Sequence, residues 1–450
     1  MLCKFKLFIF GIFTLISVHV YSQDADTIIT NSLLNKDYIG LEKQFPIIEN
    51  DVKNSTLKLV SKTILDTRFN RPYDALNTID TLLMKHQTKL NVNQLIELCY
   101  TKLTVLEELQ EYNLAYAELQ NFVKQLGTYF SNDDLVKFHA LQKHLFYLKD
   151  EQKIQIIKPL ADTQIPFGKI EFVDNDKNNT VSNIITTVGA VRIKINGKEF
   201  IFLFDTGSEK TIIFNHLTDL INLKKTEGIY NILGIGALEK GSLAILLDEL
   251  SLGEIKFKNL PVLISDNYLK KLFPDIKGDL NVIGGIIGID VIKKLGEIQI
   301  CPKERKIIVP FIESELPQFG KNIIFDSMNN LTVQGILNGT QLINLQFDTG
   351  SSITRLFEPY YLRYQKDIES KYEKRIYSDF SIEFQKNEVY LLPSSQLKIG
   401  DSEVLMNNIP IYTKILHQSN PEIDGLLGLD FVVNQSKIIL NTNKMFFCIR

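Results

Sequence analysis

The chain has 450 residues, of which 44% are hydrophobic and 23% charged, and its formal net charge is only −3. This composition is that of a folded protein long enough for more than one domain. A charge so close to neutral argues against binding to nucleic acid or to a membrane surface.

The N-terminus has the pattern of a secretory signal peptide over residues 1–22. A short basic start is followed by an apolar stretch from Leu7 to Val18, and cleavage after Ser22 would leave Gln23 at the new terminus. We therefore predict an exported protein, periplasmic or extracellular. The alternative is an N-terminal anchor, although the stretch is short for a membrane span, and no other apolar stretch reaches spanning length.

Residues 23–158 are predicted to form an α-helical domain, because Pro and Gly are scarce there and Leu recurs at helical spacing. The segments Phe69–Leu82 and Leu109–Phe122 are similar to each other, with Ala75 and Ala115 at matching places. Such spacing is typical of stacked helix pairs. The domain is loosely similar to tetratricopeptide-type repeats, which implies a surface for a protein partner. A helical cap that only supports the rest of the chain is the alternative.

A β-rich region follows a polar, proline-containing boundary and has two similar halves, predicted as lobe one (165–310) and lobe two (311–450). Each half has an alternating strand, an Asn-Gly hairpin turn, and a buried strand that ends in Phe-Asp-Thr-Gly-Ser. A hydrophobic-hydrophobic-Gly segment comes later, its Gly 83 positions after the first Asp and 80 after the second. These landmarks indicate a duplicated unit. They are Asp205, Thr206, Gly207, Ser208, Ile286, Ile287 and Gly288 in lobe one, and Asp348, Thr349, Gly350, Ser351, Leu426, Leu427 and Gly428 in lobe two.

The two Asp residues of the repeat are the candidate catalytic groups. A carboxylate at the end of a buried strand is unfavourable unless it has partners. If the two loops face each other, Asp205 and Asp348 must share one proton, because two like charges in contact cannot both ionise. One carboxylate can then take a proton from water while the other polarises a carbonyl group.

On these residues the chain resembles the aspartic proteases of the pepsin and retropepsin group, which are hydrolases. The resemblance covers about residues 165 to 450 and is nearest to bacterial retropepsin-like proteins with both lobes in one chain. It implies an α+β multidomain protein, in which a helical, solenoid-like domain precedes a bilobal all-β aspartic protease fold. It also implies a peptide or protein substrate, an activated water as nucleophile, no cofactor and no metal. A monomer should suffice for catalysis, because both loops lie in one chain.

The same resemblance implies roles for the neighbours of the two Asp residues. Thr206 and Thr349 should brace the pair from behind through side-chain hydrogen bonds, and the glycines that follow them should let the loops approach closely. Ser208 and Ser351 are expected to donate hydrogen bonds to the outer carboxylate oxygens, which would favour the ionised form.

A Gly-rich flap is expected in lobe one. Gly234, Ile235 and Gly236 lie 29 to 31 positions after Asp205 and have the pattern of a flap tip, with an ordinary hairpin turn as the alternative. The matching segment of lobe two, residues 376–381, has no Gly pair. The sequence therefore predicts one flap rather than two.

Three cysteines remain once the signal segment is removed: Cys99, Cys301 and Cys448. They are too few and too scattered for a disulfide framework or a metal site. At most one bridge is expected, between Cys301 and Cys448, and free buried thiols are favoured.

Three functions remain open on the sequence alone. The first is an exported aspartic endopeptidase. The second is a catalytically silent protease fold that binds peptides, with the helical domain as its docking surface. The third is a processing enzyme with one dedicated substrate. Two intact copies of the Asp-Thr-Gly signature favour an enzyme.

Overall fold

The computed structural model describes residues 24–173, 185–233, 238–266, 282–380, 384–414 and 420–450. The chain forms two compact units, with the boundary between Lys153 and Ile154. The first unit is helical and the second is rich in β-strands, so the predicted fold class is confirmed.

The first unit consists of helices that begin at polar capping residues. The side chains of Asp24, Asp37, Asn54 and Asn91 accept hydrogen bonds from backbone N–H groups of the helices that follow them, which satisfies donors that have no partner within the helix. Consecutive helices pack against each other. Among the described residues, no helix has both the length and the hydrophobicity that a membrane span requires. The helices are α1 (Ala25–Leu34), α2 (Tyr38–Ile48), α3 (Ser55–Arg68), α4 (Pro72–Lys85), α5 (Val92–Glu108), α6 (Tyr112–Leu126) and α7 (Asn132–Leu148).

Two small residues explain how these helices can approach each other. Ala75 on α4 and Ala115 on α6 are both fully buried. α4 packs against α3 and α5, and α6 packs against α5 and α7. The matching alanines of the sequence repeat therefore lie inside the helical stack, as their spacing predicts.

Within the described residues, the second unit is built from strands with three α-helices between them. Its strands are β1 (Gln155–Ile157), β2 (Thr163–Val173), β3 (Ile185–Ile195), β4 (Lys198–Phe204), β5 (Ile212–Phe214), β6 (Leu223–Leu233), β7 (Leu238–Leu246), β8 (Leu250–Leu252), β9 (Ile255–Lys258), β10 (Leu260–Ser265), β11 (Ile283–Ile287), β12 (Glu297–Cys301), β13 (Lys306–Val309), β14 (Ile323–Phe325), β15 (Leu331–Leu337), β16 (Gln341–Phe347), β17 (Arg355–Leu356), β18 (Lys374–Phe380), β19 (Phe384–Ile399), β20 (Ser402–Tyr412), β21 (Gly425–Leu427), β22 (Ile438–Asn441) and β23 (Phe446–Ile449). Its helices are α8 (Ile289–Leu295), α9 (Glu358–Lys371) and α10 (Leu429–Val433).

The strand order of the two sheets confirms the duplication. One sheet contains the run β3-β4-β11-β5-β10-β7-β6, and the other contains β15-β16-β21-β17-β20-β19-β18, which is the same order of equivalent strands. The predicted Asn-Gly hairpins are present in both. Asn196 and Gly197 have φ of 48° and 79°, and Asn338 and Gly339 have φ of 50° and 80°. These positive angles are those of a type I′ turn, which suits the twist of the flanking strands.

Two predicted boundaries need correction. The helical domain was expected to extend to residue 158, but β1 belongs to the second unit, where it pairs antiparallel with β9. Lobe two was expected to hold all of residues 311–450, but β22 pairs with β12 and so joins the sheet of lobe one. Most residues of β12 and β22 are buried. Their pairing joins segments far apart in the chain, and no local feature of the sequence indicates it.

This pairing also determines whether Cys301 and Cys448 can form a disulfide. Cys301 ends β12 and Cys448 lies on β23, with β22 between these two strands. Two strand spacings amount to roughly 10 Å, which is beyond the reach of a disulfide. Cys99, Cys301 and Cys448 are free thiols, so the bridge between Cys301 and Cys448 does not form.

Candidate active site

The two Asp residues occupy equivalent places at the ends of buried strands. Asp205 follows β4 and Asp348 follows β16, and each of these strands runs parallel to a hydrophobic-hydrophobic-Gly strand, β11 or β21. The N–H of Asp205 donates to the carbonyl of Ile287, and that of Asp348 to the carbonyl of Leu427, both at 3.0 Å. The segment that ends in Gly therefore supports each catalytic loop, as the resemblance implies.

The glycine that ends each supporting segment is required by the close approach of the loop. A Cβ atom on Gly288 would lie 2.6 Å from the backbone carbonyl of Lys210, and one on Gly428 would lie 2.5 Å from the backbone of Ile353. No side chain fits at either place. Gly288 and Gly428 thus let the segment pass directly beside the loop that carries the Asp.

The two Asp-Thr-Gly loops are in contact with each other. A Cβ atom on Gly207 would lie 2.5 Å from Cγ of Asp348, and a Cβ on Gly350 would collide in the same way with the carboxyl group of Asp205. Each carboxyl group therefore packs on the glycine of the opposite loop. The structure brings Asp205 and Asp348 together, and the glycines serve the close approach that was expected of them.

Two threonines lock the loops together through reciprocal hydrogen bonds. The hydroxyl of Thr206 donates to the carbonyl of Phe347 (2.8 Å) and accepts from the N–H of Thr349 (3.0 Å). The hydroxyl of Thr349 donates to the carbonyl of Phe204 (2.5 Å) and accepts from the N–H of Thr206 (3.2 Å). Both threonines are buried. The expected brace behind the pair is therefore present, and each lobe contributes half of it.

Backbone N–H groups hold the carboxylates in place. Oδ1 of Asp205 accepts from the N–H of Gly207 (2.8 Å) and of Ser208 (3.2 Å). In lobe two, Oδ1 of Asp348 likewise accepts from the N–H groups of residues 350 and 351, at 2.9 and 3.1 Å. Hydrogen bonds of this kind favour the ionised carboxylate.

The expected role of the serine hydroxyls is wrong. The hydroxyl of Ser208 donates to the carbonyl of Lys210 at 2.9 Å, and that of Ser351 to the carbonyl of Ile353 at 3.3 Å. A hydroxyl has one proton to donate, so neither serine side chain donates to a catalytic carboxylate. It is the backbone N–H of each serine that does so.

The two carboxyl groups differ in their electrostatic environment. Burial raises the pKa of Asp205 well above its ordinary value, the negative charge and hydrogen bond of Asp348 raise it further, and the N–H groups of Gly207 and Ser208 act to lower it. Burial also raises the pKa of Asp348, but the hydrogen bond from Asp205, two backbone N–H groups and the positive charge of Arg355 all act to lower it. Burial and the contact between two acidic groups therefore favour one shared proton on the pair, and the charge of Arg355 acts on Asp348.

A pair of buried Thr–Asp contacts behind the loops was missed by the sequence reasoning. The hydroxyl of Thr211 donates to Asp290, and the hydroxyl of Thr354 donates to Asp430, both at 2.8 Å. The same hydroxyls accept from the N–H groups of residues 288 and 428. The repeat in the sequence contains a signal for these contacts. Both Thr residues lie six positions after the Asp of an Asp-Thr-Gly loop, and their two Asp partners lie two positions after Gly288 and Gly428.

The flap prediction falls partly outside the described residues. Gly234, Ile235 and Gly236 lie outside them, while the flanking strands β6 and β7 are neighbours in the sheet. In lobe two, β18 pairs antiparallel with β19 from Lys374 opposite Tyr390 to Phe380 opposite Phe384. Two consecutive strands therefore lie side by side at this place in both lobes, and the single flap stays a prediction.

Part of the chain is similar to known proteins. A family model described as Aspartyl protease matches residues 191–291, which include the Asp205 loop and its supporting Gly288 segment. The crystal structure of an aspartic proteinase from Irpex lacteus matches with 11% sequence identity and a TM-score of 0.39, covering 63% of this chain and 96% of its own. No curated protein matches. Residues 191–291 of lobe one are thus similar to the aspartyl protease family model, and lobe two repeats the strand order of lobe one.

Proposed function

We propose that the protein is an aspartic-type endopeptidase. The observation that carries the proposal is the reciprocal lock between the two loops. Thr206 and Thr349 exchange hydrogen bonds across the lobes, and each catalytic Asp packs on the glycine of the opposite loop. This arrangement holds two carboxyl groups against each other, which is unfavourable unless they share a proton. A pair with one protonated and one ionised carboxyl group provides both the acid and the base that general acid–base catalysis requires.

In the proposed reaction, a water molecule between the carboxyl groups attacks the peptide carbonyl carbon. The ionised carboxylate takes a proton from this water, and the protonated partner gives its proton to the carbonyl oxygen, so that a tetrahedral diol forms. The carboxyl group that received the water proton then gives it to the amide nitrogen, and the other carboxylate takes a proton from one hydroxyl of the diol. The C–N bond breaks, which leaves a carboxylic acid and an amine and restores the pair. The buried Thr pair fixes the geometry of both groups, which matters because misplacement by about 1 Å can reduce the rate by about 100-fold.

The test uses Asp205→Asn, Asp348→Asn and the double variant, with a diverse peptide library assayed across pH. Each single variant should lose nearly all turnover, and the double variant should be little worse, because groups that act as a unit are not additive. Inhibition of the natural protein by a pepstatin-type compound is expected. Asp219→Asn, an exposed change in the same lobe, serves as the control. Substantial turnover by either folded single variant would rule out the paired mechanism, and peptide binding without turnover by the natural protein would favour the silent module.

We also propose that the protein is exported after loss of residues 1–22 and that one chain suffices for catalysis. The first part is supported by the basic-then-apolar start, and sequencing of the exported protein should find Gln23 first. The second part is supported by the presence of both loops in one chain. Specific activity should be constant over a wide range of enzyme concentration, and a rise that follows dimer formation would contradict it.

We further propose that the helical unit docks a protein partner or substrate. It contains a cavity of about 390 Å³ between α4, α5 and α6, beside the buried ammonium of Lys102 and the exposed side chain of Met84. Met84→Glu should raise the KM for protein substrates and leave the KM for short peptides unchanged. Equal effects on both substrates, or none on either, would favour a purely supporting role for the helices.

A further inference from the structure

The supports of the two catalytic loops match closely but differ at one buried position. In both lobes a Thr six residues after the proposed catalytic Asp bonds to a partly buried Asp and accepts from the N–H of a supporting Gly. The next residue is Ile212 in lobe one and Arg355 in lobe two. Each begins a short strand, β5 or β17, that pairs antiparallel with the supporting strand. A cation thus occupies a place where the other lobe has an aliphatic side chain.

The side chain of Arg355 is directed at the catalytic loop of its own lobe. Arg355 is only 5% exposed. Its Nη2 donates to the hydroxyl of Ser351 at 3.0 Å, and the N–H of Ser351 donates to Oδ1 of Asp348 at 3.1 Å. One residue therefore links the guanidinium to the carboxylate. Because burial reduces screening by water, the charge of Arg355 acts more strongly here than at the surface.

Two acidic groups interact with the charge of Arg355: Asp348, on the loop that Arg355 contacts, and Asp430, on α10. Burial raises the pKa of both, and the charge of Arg355 acts against this rise. On the strands that flank β17, Leu426 lies opposite Arg355 and Ile411 lies opposite the next residue, Leu356. In lobe one, burial raises the pKa of Asp290, and the charge of Lys210, one position before Thr211, acts to lower it.

We propose that Arg355 is a positioning residue, whose buried guanidinium keeps the negative charge of the pair on Asp348 and leaves the shared proton on Asp205. The inference rests on the proposed function, since it assigns the two roles within that site. Asp348 takes the proton from the attacking water, whose oxygen bonds to the carbonyl carbon. Asp205 gives its proton to the carbonyl oxygen. The two Asp-Thr-Gly loops are thus equivalent in architecture but not in chemistry.

The first test measures ionisation directly and does not need activity. Carbon-13-labelled aspartate gives a carboxyl signal for Asp348 in Asp205→Asn, identified by its loss in the double variant with Asp348→Asn. Adding Arg355→Met should move the titration of Asp348 to higher pH, and Arg355→Lys should restore it. Arg192→Met, which removes an exposed arginine of lobe one paired with Glu199, should have no effect.

A second comparison leaves Arg355 intact, so it tests the location of the negative charge even if Arg355→Met does not fold. Asp348 alone, in Asp205→Asn, should titrate at lower pH than Asp205 alone, in Asp348→Asn. Equal titrations, or the reverse order, would overturn the inference. So would an unchanged titration of Asp348 in a folded Arg355→Met protein.

The third readout is the pH profile of peptide turnover. In Arg355→Met the acid limb of kcat/KM should move to higher pH, with a loss of about tenfold on that limb, the effect typical of one nearby charge. Arg355→Lys should restore the limb. A uniform loss at every pH would indicate a merely structural role for Arg355 and overturn the inference. Absence of turnover in the natural protein would instead refute the proposed function, while the titrations would still test the charge on Asp348.

Discussion

The threonine lock makes a quantitative prediction for the variant Thr206→Val. Valine has nearly the shape of threonine, and Thr206 is 1% exposed, so the change removes little more than a hydroxyl. That hydroxyl donates to the carbonyl of Phe347 and accepts from the N–H of Thr349, so two buried hydrogen bonds are lost. An unsatisfied buried polar group costs about 1–3 kcal/mol. We therefore expect the free energy of unfolding of the second unit to fall by roughly 2–4 kcal/mol.

Thr206→Ser is the matched control, since it keeps the hydroxyl and loses only a methyl group, for about 1 kcal/mol. Urea unfolding followed by near-ultraviolet circular dichroism would give the stabilities, and peptide turnover would report the alignment of Asp205 and Asp348. Turnover should fall far more in Thr206→Val than in Thr206→Ser. If the two variants were equally stable and equally active, the lock would not hold the loops together and the reasoning would fail.

Three further predictions concern the two Asp-Thr-Gly loops and the predicted flap. Because burial and Asp348 raise the pKa of Asp205 above 3.8, the folded protein binds this proton more tightly than the unfolded chain does, and stability falls as pH rises from that value. Asp205→Asn should therefore raise the melting temperature at neutral pH and lose this gain below pH 3.8, and a gain that is the same at every pH would contradict the assignment. Gly207→Ala should abolish turnover, since the added Cβ would strike the carboxyl group of Asp348, whereas Gly168→Ala, with open space around it, should be neutral. Gly236→Val should lower turnover without loss of fold if the flap prediction is right, and unchanged kinetics would remove that assignment.

The sequence was sufficient for features that depend on local signals. The hairpins at Asn196-Gly197 and Asn338-Gly339 follow from residues that accept positive φ. The buried strands before Asp205 and Asp348 follow from their apolar runs, and the pairing of the two loops follows from the repeat itself. These inferences succeed because each rests on residues close together in the chain or on a comparison of two copies.

The features that could not be predicted depend on long-range packing or on the direction of a single side chain. The pairing of β22 with β12 is one, because nothing in Ile438–Asn441 indicates which sheet it will join. The hydroxyls of Ser208 and Ser351 are another, since a serine beside a carboxylate can equally donate to a nearby carbonyl. Nothing in the sequence distinguishes Arg355 from a surface arginine. Its burial and its hydrogen bond to Ser351 are visible only in the structure.

A duplicated site raises a problem that the fold alone does not solve. Two equivalent loops hold two equivalent carboxyl groups, yet the proposed reaction needs one to be a base and the other an acid. Backbone contacts cannot make this distinction, because the N–H groups of Gly207 and Ser208 have counterparts of nearly the same length in lobe two. The distinction must come from a position where the copies differ. Such a position holds Arg355 in lobe two and Ile212 in lobe one. Arg355 is buried and charged, and it is linked to Asp348 through hydrogen bonds with one residue, Ser351.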